Sequence, residues 1–168
     1  MKCAHYRSSL LLLAVVFFFV GSVTSAQDNK NPTIHASSIQ ILMAQSDEVK
    51  LPIEFQLALY ENLIEQIQKT NKFQYVYRDG DPGASSNTDL VILHSNVYGF
   101  KKGSEGKRQV TTFAGATQIK VHCVFTDKTG KSEFAQDVTG NVRFVGGNLR
   151  ATFDFAKKVA QIIVTNFQ

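Results

Sequence analysis

The sequence predicts an α+β fold. Its expected form is a two-layer sandwich, with a mostly antiparallel sheet of four or five strands packed against two amphipathic helices in the order β-α-β-β-β-β-α. Three observations predict it. Apolar residues recur at helical spacing in two segments, 53–70 and 149–167. Between them the chain alternates apolar and polar residues in stretches separated by turn-forming residues. Two single-stripe helices and one sheet each have an apolar face to bury, and stacking them in two layers buries all three.

The chain opens with a different signal. Met1 to Arg7 is short and basic, Leu10 to Val20 is an unbroken apolar run, and Gly21 to Ala26 is small-residue rich. That is the layout of a secretory signal peptide, and the apolar run is too short to span a bilayer comfortably. The expected cut follows Ala26, with Thr24 at the −3 position, and Ser25 is the alternative. Residues 27–32 form a polar tether, and residues 33–168 form a single α+β domain. Export places the protein in the periplasm or, alternatively, outside the cell, with no transmembrane segment in the mature chain. A domain of this length buries roughly 70% of its unfolded surface and folds without staples.

The leader takes Lys2 and Arg7 with it, so the net charge of +4 falls to +2 in the mature chain. So small an excess gives no reason to expect a nucleic-acid partner. Cys3 also leaves, and it precedes the apolar run, so no lipid-bearing cysteine follows that run. Cys123 remains alone. It shares a strand face with Ile119, Val121 and Phe125, which points to an inert buried thiol. Pairing between chains and a reactive thiol are the other readings of an odd cysteine.

In order, Thr33 to Met43 contains a first strand around Ile39 and Ile41. Pro52 opens a helix whose apolar positions Phe55, Leu59, Leu63 and Ile67 recur every four residues. Asn71 suits a left-handed cap after it. Phe73 to Tyr77 alternates as a strand, 79–87 is a loop, and Leu90 to Phe100 is a strand. The continuous Leu90-Val91-Ile92-Leu93 suggests cover on both faces. Lys101 to Arg108 reads as a polar hairpin tip, Val110 to Thr126 as a long strand, and Asp127-Lys128-Thr129-Gly130 as a turn. Ser132 to Phe144 returns with Phe134, Val138, Val142 and Phe144 on one face. Gly146-Gly147 break it, Asn148 is the expected N-cap, and the last helix has Leu149, Thr152, Phe153, Ala156, Val159, Ala160, Ile163 and Phe167 along its stripe.

Several of these features occur together in a pattern that resembles a known family. They are the first helix running into a Lys-Phe strand, Thr88-Asp89-Leu90-Val91-Ile92, the Phe125 to Lys131 hairpin, and Gly146-Gly147 before a helix with Ala156, Ala160 and Ile163. The chain resembles domain-of-unknown-function family 4410, whose members are small secreted bacterial proteins. More distantly it is similar to the α/β domains of the curli-secretion lipoprotein and of the amino-terminal part of the Tol translocation protein. The resemblance implies a fold and an envelope address, and it brings no catalytic residues.

Candidate chemistry is sparse. His35, His94 and His122 lack metal-ligand spacing, and His122 and Cys123 point to opposite strand faces. His94 and His122 could face each other across paired strands. The acid pairs Asp79/Asp81 and Asp47/Glu48 lie in predicted loops, and no nucleophile elbow occurs. Gly146-Gly147-Asn148 is a turn with N–H groups available to an anion. No cofactor and no enzymatic activity are expected. The best exposed feature is the basic tip, so Tyr98, Phe100, Lys101, Lys102, Lys107 and Arg108 are the candidate partner-binding residues. The leading function is a non-enzymatic binding or assembly module of the bacterial envelope, with an envelope protein or cell-wall component as partner. The alternatives are a small-molecule binder using Tyr60, Tyr75 and Tyr77, and a hydrolase.

Overall fold

The computed structural model describes residues 34–111, 115–143 and 146–168. Expectations for residues 1–33, including the leader and tether, lie outside them, as does Phe144. Five strands form one sheet: β1 (Ser38–Ile41), β2 (Tyr75–Tyr77), β3 (Leu90–Lys101), β4 (Thr117–Thr126) and β5 (Ser132–Val142). The two long helices are α1 (Ile53–Gln68) and α4 (Arg150–Asn166), and the short ones are α2 (Pro82–Ser86) and α3 (Glu105–Val110). The strand order is β2-β1-β3-β4-β5. β1 pairs in parallel with both β2 and β3, while β3-β4 and β4-β5 are antiparallel. The sheet is therefore mixed, and its antiparallel half holds the three long strands.

Both long helices lie on one face of the sheet. The periodicity of α1 places Phe55, Leu59, Leu63 and Ile67 in the core, against Ile39, Ile41, Leu93 and Val97. α4 contributes Ala151, Phe155, Val159 and Ile163 against Ile119, Val121, Cys123 and Val138. Leu90, Val91 and Leu93 are buried and Ile92 half-buried, as the continuous run predicts. A bulge between Val97 and Gly99 shifts the strand's phase. Phe100 then lies edge-on to Phe55 of α1, ring centroids 4.7 Å apart.

The turn at Asp127 forms as its residues dictate. Its carboxylate accepts from the Thr129 hydroxyl and from the N–H groups of Thr129 and Lys131, while Gly130 takes a left-handed φ of 86°. These bonds, that from the Thr129 hydroxyl foremost, hold the Asp127 carboxyl below the usual range. Asn71 is left-handed after α1 (φ 52°).

Three local expectations are corrected. The hairpin tip at 101–108 contains α3, because Ser104 accepts from Lys107 N–H at its start and Arg108 is drawn inward. The strand expected from Val110 consequently begins only at Thr117. Asn148 does not cap α4 through its side chain, since its carbonyl oxygen accepts the Thr117 hydroxyl proton at 2.6 Å.

Candidate functional site

The basic segment divides when folded. Lys101, Lys102 and Lys107 are exposed, Tyr98 and Phe100 are half-buried, and Arg108 is only 5% exposed. Burial, and then the Asp137 carboxylate, push the Tyr98 phenol up from its ordinary value. Phe100 belongs to the α1 contact and is not presented at a tip. Thus the three lysines are the solvent-facing part of the candidate surface, and Arg108 has a different task.

Arg108 ties three segments together. It donates to the Gly115 carbonyl at 2.6 Å, to the Gly146 carbonyl at 2.8 Å and to the Thr117 hydroxyl at 3.4 Å. Beside it, the Glu105 carboxylate accepts from Asn148 N–H at 3.0 Å. An N–H of the Gly146-Gly147-Asn148 turn, read from sequence as available to an anion, is therefore taken by the protein's own acid. Arg108→Met keeps the bulk but removes the donor to the part-buried Gly146 carbonyl and leaves the Gly115 carbonyl with Ser104 N–H alone, and is expected to cost about 1–2 kcal/mol. Urea denaturation measures this; an unchanged midpoint would mean the strap contributes nothing.

The sheet face away from the helices carries His94, His122 and Asp137, all exposed. His122 and Asp137 are hydrogen-bonded at 2.6 Å, and His94 reaches the Thr126 hydroxyl at 3.1 Å. The two histidines do not face each other: His122 lies opposite Asn96, and His94 opposite Val124. Cys123 points to the other face and is 1% exposed, so the His122–Asp137 pair has no thiol to activate. Asp79 accepts from Met43 N–H and Asp81 from Gly83 N–H, so each pins a loop. Among the described residues no group of three His, Cys, Asp or Glu could hold a metal ion.

Burial pushes the Cys123 thiol up to about 12. Thiols in unfolded chains ionise near 8.5. Below that pH both states are protonated. Above it the unfolded state loses the proton first, so stability falls as pH rises from about 8.5 towards 12, by up to about 1.4 kcal/mol per pH unit from this group. Cys123→Ala is expected to flatten that alkaline slope in denaturation curves. A thiol reagent should label the native protein only as fast as it unfolds; prompt labelling would place the thiol at the surface.

The tyrosines expected to line a ligand space divide between the core and the surface. Tyr60 is buried, and its hydroxyl accepts from Asp79 N–H at 2.7 Å. Tyr75 stacks on Tyr77 and is 49% exposed.

A feature that sequence reasoning missed lies at the sheet's β5 edge. A groove of about 560 Å³ runs between β5 and α4, with Val138 and Ile162 among its apolar lining and Lys157, Lys158 and Gln161 along its helix side. Two helix side chains occupy backbone positions on the free edge of β5. Lys158 donates to the Thr139 carbonyl at 2.7 Å, and Asp154 accepts from Asn141 N–H at 2.9 Å. By the alternation of an antiparallel edge, the backbone groups of Ala135 and Asp137 also face outward, and residues 135–137 are exposed. Half of this edge is thus capped and half is open. The only sequence trace is the Asp154/Lys158 spacing of four, ordinarily read as an ion pair along a helix.

No helix among the described residues is long and apolar enough to cross a membrane. No family model matches the chain, so family 4410 gains no support from one. Comparison with curated proteins returns no match. Solved structures do match in fold. PelC of Paraburkholderia phytofirmans, solved as a dodecamer, matches at TM-score 0.57 and 11% identity, over 77% of this chain and 88% of that one. A Xanthomonas campestris protein of family DUF330 matches at TM-score 0.50 and 11% identity, over 82% and 87%. A hypothetical Chlamydia trachomatis protein matches at TM-score 0.50 and 9% identity, over 77% and 94%. The chain therefore has the α+β fold of PelC and of these bacterial proteins.

Proposed function

We propose that this protein is a non-enzymatic assembly module of a bacterial cell envelope, exported to the periplasm by its 1–26 leader, with a polar tether at 27–32 and a single domain at 33–168. The observation that carries the reading is the half-open β5 edge beside its groove, since exposed backbone edges are a general means of joining one chain to another. The chemistry supports it. The His122–Asp137 pair has no thiol beside it, Asp79 and Asp81 each accept a backbone N–H, and Cys123 is sealed in the core. PelC, which shares the fold, assembles as a dodecamer, and that favours assembly over free diffusion. The Lys101, Lys102 and Lys107 cluster offers a second contact for an anionic envelope component.

The test is cross-linking in intact cells of the native host, with the tagged protein recovered and its neighbours identified against a tagged exported control. Specific recovery of an envelope protein, or of further copies of this chain, is the expected result. Recovery as a free monomer with no specific neighbour would overturn the reading.

A further inference from the structure

The end of the molecule where β3 leaves the sheet and α4 begins gathers charge of one sign. β3 ends at Lys101 opposite Gln118, and β4 starts at Thr117 opposite Val142, the last residue of β5. Bonds from Thr117 to Asn148 and from Arg108 to the Gly146 carbonyl draw the loop before α4 onto the same end. Lys101, Lys102, Lys107, Arg143 and Arg150 stand on these segments, and all are exposed. Across 101–111 and 143–153 the one acid is Glu105, whose carboxylate already accepts from Asn148 N–H. Asp154, just beyond, is held by Lys158 and by Asn141 N–H. Asp47, Glu48 and Glu54 lie on the approach to α1, which follows Gln45 and so stands on the β1 side of β3.

Apolar side chains are set among these cations. Val110, ending α3, is 83% exposed. Leu149 and Phe153, at the start of α4, are 42% and 37% exposed, and Lys157 lies over the Phe153 ring, 6.0 Å from its centroid. One exposed apolar residue is ordinary. Apolar side chains interleaved with cations of a single patch suit a lipid interface, where the cations meet phosphates and the apolar groups enter at headgroup depth.

We propose that this end of the domain docks on an anionic phospholipid bilayer. This rests on the envelope reading above and names the anionic component that the lysine cluster would contact. An acidic peptide or polymer covering the cations alone would leave Val110, Leu149 and Phe153 wet, whereas a bilayer takes both kinds of side chain. Docked this way, the Asp127 turn at the other end of the β4–β5 hairpin points away from the lipid, and the edge of β5 stays clear of it.

The test sediments the protein, purified from its own host after export, with vesicles of phosphatidylglycerol and phosphatidylethanolamine and with vesicles of phosphatidylcholine alone. Binding is expected to the anionic vesicles only, and to weaken as salt rises from about 0.1 M to 1 M. Lys102→Gln and Lys107→Gln are each expected to weaken it about fivefold, and Val110→Ser by a similar factor. Lys131→Gln removes the same charge beside the Asp127 turn and is expected to leave binding within about twofold. All four side chains are exposed, and an unchanged thermal midpoint confirms that each variant is folded. No binding to anionic vesicles would overturn the proposal. So would an equal loss in Lys131→Gln, which would mean that net charge alone attracts the protein. Undiminished binding by Val110→Ser, or competition by millimolar glycerol phosphate, would reduce the contact to phosphate recognition and overturn the bilayer as its source. The broader envelope reading separates in cells through a photo-cross-linker at position 107. A protein that ignores vesicles but cross-links there to an envelope protein refutes the lipid contact alone, whereas one that ignores vesicles and cross-links to nothing refutes both.

Discussion

Phe167→Ala is expected to destabilise the domain by about 3–5 kcal/mol, the range for removing a buried aromatic ring. The residue lies just beyond α4, where substitutions are ordinarily cheap because chain near the end of an element frays. Here it is 1% exposed and its ring meets two others, Phe125 at 5.3 Å and Phe73 at 5.6 Å between centroids. Its position is fixed by backbone as well: it bridges Ile34 in parallel, with Ile34 N–H donating to the Asn166 carbonyl and Gln168 N–H to the Ile34 carbonyl. Losing the ring opens a void shared by β2's approach, β4 and the first described residues, so the surroundings cannot collapse onto it from one side. Guanidinium denaturation of the variant measures the loss. A cost below about 1 kcal/mol would show that the three-ring cluster is not cohesive.

Gly140→Ala is expected to cost about 3 kcal/mol, at the upper end for overpacking. A methyl group at this position would lie 2.1 Å from the Ala151 carbonyl oxygen and 2.6 Å from the Phe155 Cβ. The nearest obstacle is backbone at the start of α4, which cannot swing away as a side-chain tip would. To accept the methyl, α4 must lift from β5. That displacement would also loosen the bonds of Asp154 to Asn141 and of Lys158 to Thr139 on either side. The expected signature is a lowered denaturation midpoint with faster hydrogen exchange at Asn141. A neutral variant would mean that the helix is free to move outward without loss.

Much of the fold was legible because both long helices bury one stripe. Phe55, Leu59, Leu63 and Ile67 in α1, and Ala156, Val159, Ala160 and Ile163 in α4, recur at helical spacing and are buried, whereas Leu149 and Phe153, read from sequence as part of the α4 stripe, are exposed and Phe155 is buried instead. The hairpin of β4 and β5 was legible through strict alternation and the Asp127 turn. The parallel pairing of β1 with β2 and β3 was not. β1 has four residues and β2 three, too few for alternation to tell direction, and parallel partners are joined through a helix that conceals the pairing. α3 escaped because six residues containing Gly106 have no apolar period. Arg108 escaped with it, since arginine is read as a surface residue until its partners are seen.

The site was less legible than the fold. Of the six residues chosen from sequence, the three lysines are at the surface, while Phe100 and Arg108 serve packing and the loop strap. The β5 edge has no composition of its own. Its openness depends on which backbone groups α4 happens to reach, and that is set by the placement of Gly140 under Ala151 rather than by any motif.

The bridge between Ile34 and Phe167 has a consequence for the order of events when the chain is made. The first described strand region and the residue after the last helix are hydrogen-bond neighbours, so the core has no complete subset that forms early. A chain emerging from the ribosome holds β1, α1 and β3 without the helix and ring that cover β4 and β5. It cannot lock until Phe167 has been synthesised. Any factor that handles the growing chain before that moment meets the sheet uncovered.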